Sequence, residues 1–160
     1  MSSDLLFRLM IAGLVTGVTD GLFSSGLAAF AYGSTVTRLW QGVASTLLGP
    51  AAFEGGTRTA AIGLLMHFAV ALTWSAVFLA LVLSSSWIRS AIGSPAGVLT
   101  TAAVYGPLIW LVMSLAIIPL LTHRPPTINI RWWVQFFGHI PFVALPIVLS
   151  LKASVLSSQF

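Results

Sequence analysis

Four uninterrupted apolar runs, at residues 6–30, 59–83, 96–121 and 132–151, constrain this chain more than any other feature. Each is close to the roughly 20 residues that cross a ~30 Å hydrocarbon layer at about 1.5 Å per residue. The runs are continuous rather than alternating, and an open sheet edge in lipid would leave backbone groups unpaired, so strands are excluded in favour of helices. Composition agrees. Of 160 residues, 58% are hydrophobic and 6% charged, and a domain that small has too little interior to hide so much apolar surface from water. Between the runs stand Gly33-Ser34, Ser84-Ser85-Ser86 and Arg124-Pro125-Pro126, residue types that break or turn a chain. The expected fold is all-α: one membrane domain over residues 1–160, a transmembrane four-helix bundle with both termini on one side.

The first connection is too long and too apolar for a loop. Val36, Leu39, Trp40, Val43 and Leu47 form one stripe at helical spacing, and Ser34, Thr37, Arg38, Gln41 and Ser45 form another. This predicts an amphipathic helix over 35–48, lying in the interface and capping the bundle between spans 1 and 2. Ser34 or Thr35 would start it, and Gly49-Pro50 would stop it.

Charge and cysteine usage exclude several functions. Seven basic residues against three acidic ones give +4, but they are scattered singly, without the contiguous cationic surface that nucleic acid requires. With no cysteine, thiol catalysis, disulfides and thiolate metal centres fall away together. Arg8, Arg89 and Lys152 lie toward the N-terminal side and Arg38, Arg58, Arg124 and Arg131 opposite, a balance that leaves orientation open under the positive-inside rule. The first run reads as a retained span and not a cleaved signal, because Asp20 interrupts it and no basic segment precedes it.

Helix association in lipid relies on close packing and buried polar contacts. Gly13, Gly17 and Gly21 recur every fourth residue on span 1, which marks them as helix-packing positions, and Thr16, Asp20 and Ser24 run beside them. On span 4, Arg131, Gln135 and His139 stack at i, i+4 and i+8. Pro141 and Pro146 cannot donate to the carbonyls of Phe137 and Phe142, so this helix is expected to bend there and expose acceptors. Span 2 contributes His67.

Counted from the N-terminal-side ends of the runs, Asp20, His67 and His139 lie within about 6 Å of one another in height. An aspartate costs at least ~3 kcal/mol at mid-membrane, so it must protonate or find a partner. Asp20, His67, His139, Gln135, Arg131 and Thr16 therefore form the expected intramembrane polar site. Three uses remain open at this point. The residues can lock the bundle through interhelical hydrogen bonds; they can carry protons or small ions; or His67 and His139 can ligate a b-type haem from two helices. No zinc-ligand cluster, phosphate loop or Ser/His/Asp spacing is present, so no metal site and no catalysis are expected.

Gln41-Gly42-Val43-Ala44-Ser45, then Leu48-Gly49-Pro50-Ala51-Ala52-Phe53-Glu54-Gly55-Gly56 and Gly63-Leu64-Leu65-Met66-His67-Phe68 form one distinctive stretch. Gly138-His139-Ile140-Pro141-Phe142-Val143-Ala144-Leu145-Pro146-Ile147 forms another. Together they resemble small bacterial four-span inner-membrane proteins of the YagU-like kind, although Glu54 stands where that pattern has glutamine. The resemblance implies a bacterial inner-membrane location and directs attention to His67 and His139; it implies no activity. The expectation is a non-catalytic, multi-pass membrane protein whose partners are the lipid bilayer and other membrane chains, or further copies of itself.

Overall fold

A computed structural model of the chain describes residues 3–157, with side chains to Lys152. Every regular element among the described residues is helical. Four helices are long and apolar enough to cross a membrane: α1 (Ser3–Ala31), α3 (Gly56–Ser84), α5 (Pro95–Thr122) and α6 (Ile130–Lys152). Two shorter ones lie between them, α2 (Val36–Leu48) and α4 (Ser86–Ala91). The long helices extend a few residues past the apolar runs because polar caps sit just outside them. Ser94 accepts from the Gly97 amide and Asn129 from the Trp132 amide, supplying acceptors for amides that have no partner within their own helix.

α1 packs between α3 and α6, α6 packs on α5, and α5 returns to α3 through Tyr105. The outer surface is as apolar as the runs require. Leu22, Leu65, Leu120 and Ile130 are each at least 70% exposed, and that is a stable arrangement only where the surroundings are hydrocarbon.

Contact between α1 and α3 depends on Gly17. A side-chain carbon there would strike the Phe68 ring, so glycine lets the two helices approach to backbone distance. Gly13 meets Leu72 in the same way. Gly21 does not carry such a contact: an added methyl would sit 3.6 Å from both His67 and Trp40, an ordinary separation.

Thr35 caps α2 through a 3.1 Å bond from the Arg38 amide, and Gly49, at φ 67°, ends it. The helix turns Trp40, Gln41 and Ala44 against α3, with the Trp40 carbonyl seated on Gly63. Gln41 therefore leaves the polar stripe expected from spacing. It is buried because its amide donates to the Gly56 carbonyl at 3.1 Å. Val36 and Leu47, from the apolar stripe, stay exposed.

Three π-helical turns interrupt the spans, at Leu27–Ala31, Met113–Ile117 and Ile140–Ala144. The last follows from Pro141 and Pro146, which supply no amide. Thr19 on α1 donates to the Phe142 carbonyl at 2.7 Å, using the acceptor that Pro146 leaves free.

The apolar core fills the half of the bundle nearer the N-terminus. Phe78, Val82, Ile109, Ile147, Val148 and Leu151 are each at most 2% exposed, and Tyr105 ties α5 to α3 there through a 2.7 Å bond to the Trp74 carbonyl.

Candidate functional site

Above that core the bundle changes character. α1 brings Thr16, Asp20 and Ser24 along one face, α3 brings His67, α6 brings Gln135 and His139, and α5 brings Trp110. Asp20 Oδ2 and His67 Nδ1 lie 3.8 Å apart, an ion pair whenever the imidazole is protonated, with both side chains 14% exposed.

The other nitrogen of His67 settles where its first proton resides. Nε2 lies 3.0 Å from the Gly17 carbonyl, which the glycine face of α1 leaves open to the ring. A carbonyl oxygen only accepts, so Nε2 carries a hydrogen. Nδ1, facing the carboxylate, then has two favourable arrangements: a protonated imidazolium against an ionised Asp20, or a neutral imidazole against a protonated Asp20. Two lone pairs facing one another would repel.

Tight packing fixes both rings. Trp40 covers His67 with centroids 5.0 Å apart, and Phe68 meets it edge-on. His139 donates from Nδ1 to the Gln135 carbonyl at 2.7 Å and packs on Trp110 at 4.9 Å. Gly106 allows α5 to lie directly against the His139 carbonyl. Beside the layer, Phe23 and Phe142 stack at 4.3 Å, joining α1 to α6.

Not all of the polar capacity is spent. Four buried side-chain atoms among the described residues have no hydrogen-bond partner: Thr16 Oγ1, Asp20 Oδ1, Tyr32 Oη and Trp110 Nε1. A buried unsatisfied group costs about 1–3 kcal/mol, so native structures keep few of them. Thr16 lies one turn before Asp20 on α1, and Trp110 lies against His139. Tyr32 is farther along, where the Arg131 guanidinium stands 4.4 Å over its ring. Between these, Gln135 reaches Ser24 at 3.5 Å. Polar groups therefore run from Asp20 toward the α2 side of the bundle, whereas apolar residues close the way to the opposite face.

Of the residues expected from sequence, Asp20 and His67 are brought into contact. His139 is buried on α6 against Trp110, Thr16 is fully buried one turn from Asp20, and Gln135 and Arg131 mark the route outward. Both ring nitrogens of His67 are engaged, Nε2 with the Gly17 carbonyl and Nδ1 toward Asp20, whereas His139 commits only Nδ1, to the Gln135 carbonyl. No group of three His, Cys, Asp or Glu residues among those described can hold a metal ion. The helix-packing glycines Gly13 and Gly17 are used against α3, and Trp132 donates to the Ser114 hydroxyl at 3.0 Å.

Sequence spacing passed over Trp110, Trp40 and the Gly17 carbonyl. Trp110 stands at the height of His139, a signal available by the same count that aligned the charged residues. Trp40 reaches the layer only because α2 folds onto α3. Comparison of the chain with protein-family models, with curated proteins and with solved structures found no match, so its function has to be argued from this layer.

Proposed function

We propose that this chain is a non-catalytic, multi-pass subunit of the bacterial inner membrane that binds and releases protons at the Asp20–His67 pair. In this reading Ser24, Gln135 and Tyr32 connect the pair to the side of the membrane where α2 lies. α2 acts as an amphipathic interfacial cap, with Trp40 over the site and Arg38 in the headgroup region. The observation that carries the reading is the double engagement of His67: Nε2 on the Gly17 carbonyl at 3.0 Å and Nδ1 on Asp20 at 3.8 Å. That geometry gives one proton two alternative homes in a low-dielectric layer, which is what a proton relay needs.

The test uses the purified chain in liposomes. A pH step should produce an infrared carboxyl signal that disappears in Asp20→Asn, and an imposed proton gradient should decay through the parent protein and not through the variant. Helical circular dichroism and elution volume confirm that the variant is folded. A carboxyl signal unchanged in Asp20→Asn, or no pH-dependent carboxyl signal in the parent, rejects the proposal.

A further inference from the structure

A cavity of about 250 Å³ opens between α2 and the end of α5, lined by residues that include Ser45, Thr46, Leu47, Phe53, Thr122 and Arg124. None of the residues of the Asp20 layer lines it. Its height is set by the fold: Thr122 is the last residue of the third apolar helix, so the cavity lies where hydrocarbon gives way to headgroups.

Its chemistry is divided. Leu47, 61% exposed, and Leu121, 46% exposed, continue the apolar outer surface into the cavity wall. Arg124 supplies a cation, and its guanidinium makes no hydrogen bond or ion pair among the described residues. A second cation stands at the edge, with the Arg38 guanidinium 4.3 Å over the Phe53 ring. Ser45, Thr46 and Thr122 each donate their hydroxyl proton to a carbonyl of their own helix, at 2.7, 2.8 and 2.8 Å. What these three hydroxyls still offer a ligand is therefore acceptor oxygen.

We infer that this cavity binds the headgroup of an anionic phospholipid that carries its own hydroxyl donors, as a phosphatidylglycerol does. The phosphate engages Arg124 in a charge-assisted bond, the headgroup hydroxyls donate to Ser45, Thr46 or Thr122, and an acyl chain leaves along Leu47 and Leu121. A choline headgroup fits poorly, since it brings a cation beside Arg124 and has no hydroxyl to donate.

Native mass spectrometry of the purified chain, exchanged into mixed micelles of phosphatidylglycerol and phosphatidylcholine, tests this directly. The parent should retain phosphatidylglycerol in preference to phosphatidylcholine, and Arg124→Gln should weaken that retention on the order of tenfold. Arg58→Gln, which removes an exposed cation outside the cavity, should retain the lipid as the parent does. Equal losses in the two variants would mean a diffuse positive face and overturn the site. Equal retention of phosphatidylcholine would overturn the headgroup chemistry. Displacement of the lipid by millimolar inorganic phosphate would show a free-anion site in place of a lipid site.

Discussion

The two halves of this bundle are built from the same four helices, yet they obey different rules. In the half nearer the N-terminus, Phe78, Val82, Ile147, Val148 and Leu151 fill the interior almost completely, and the buried Tyr105 hydroxyl is satisfied by the Trp74 carbonyl. In the other half Asp20, His67 and His139 share the interior with Trp110 and Thr16, and polar atoms are left without partners. Dispersion and close packing hold the first half together, since lipid removes most of the hydrophobic drive between helices. The second leaves buried polar groups unsatisfied, at a cost that its packing does not remove. Close packing and buried polarity are separated along the membrane normal.

Truncation in the dry half should therefore have the largest effect on folding. Phe78→Ala removes a ring that is 1% exposed and packed 5.0 Å from Tyr105, and it should lower unfolding free energy by about 3–5 kcal/mol in a detergent denaturation titration. Proton binding at Asp20 should survive in whatever fraction stays folded. A loss under 1 kcal/mol would show that the core is loosely packed and that the contrast between the halves is false.

Next in size is the seam that joins them. Gly17→Ala drives a methyl into the Phe68 ring and pushes α1 from α3, at a cost of about 1–3 kcal/mol, and it should disturb the His67 contact with the Gly17 carbonyl. Gly21→Ala, one turn along, meets only ordinary van der Waals neighbours and should shift stability by no more than about 0.5 kcal/mol. The thermal midpoints of the two variants measure the difference. Equal effects would assign the whole glycine stripe to packing and remove the special role of position 17.

How much of this the sequence reveals depends on the kind of information involved. Length and hydropathy determine the number of spans, because the solvent sets both. Residue counts place Asp20 and His67 at one height, because helical rise is constant. Rotation is another matter: nothing in the spacing of Gln41 says that it turns inward to the Gly56 carbonyl, since that contact forms only when α2 folds back on α3. Gly21 and Gly17 are likewise identical in pattern, and only the side chain opposite each one, Phe68 or the edge of His67, separates them. Pro146 is the instructive middle case. Its missing amide is legible in sequence as a free Phe142 carbonyl, but that Thr19 is the group that fills it depends on which helix lies alongside.

A small change in stability at Asp20 decides between a lock and a relay. If Asp20 were there to hold the bundle together, Asp20→Asn should cost as much as breaking a buried ion pair, about 3–5 kcal/mol. The geometry argues for far less. His67 keeps its Nε2 bond to the Gly17 carbonyl whatever stands at position 20, and with the carboxylate gone its Nδ1 is free to remain unprotonated. The asparagine amide can turn a donor toward that lone pair, so no buried charge is left without a counterion. Unfolding free energy should then move by no more than about 1 kcal/mol, in either direction, while the pH-dependent carboxyl signal is lost. A cost comparable to that of Phe78→Ala would make the Asp20–His67 pair a structural fastener, and the polar half would differ from the dry half in composition alone.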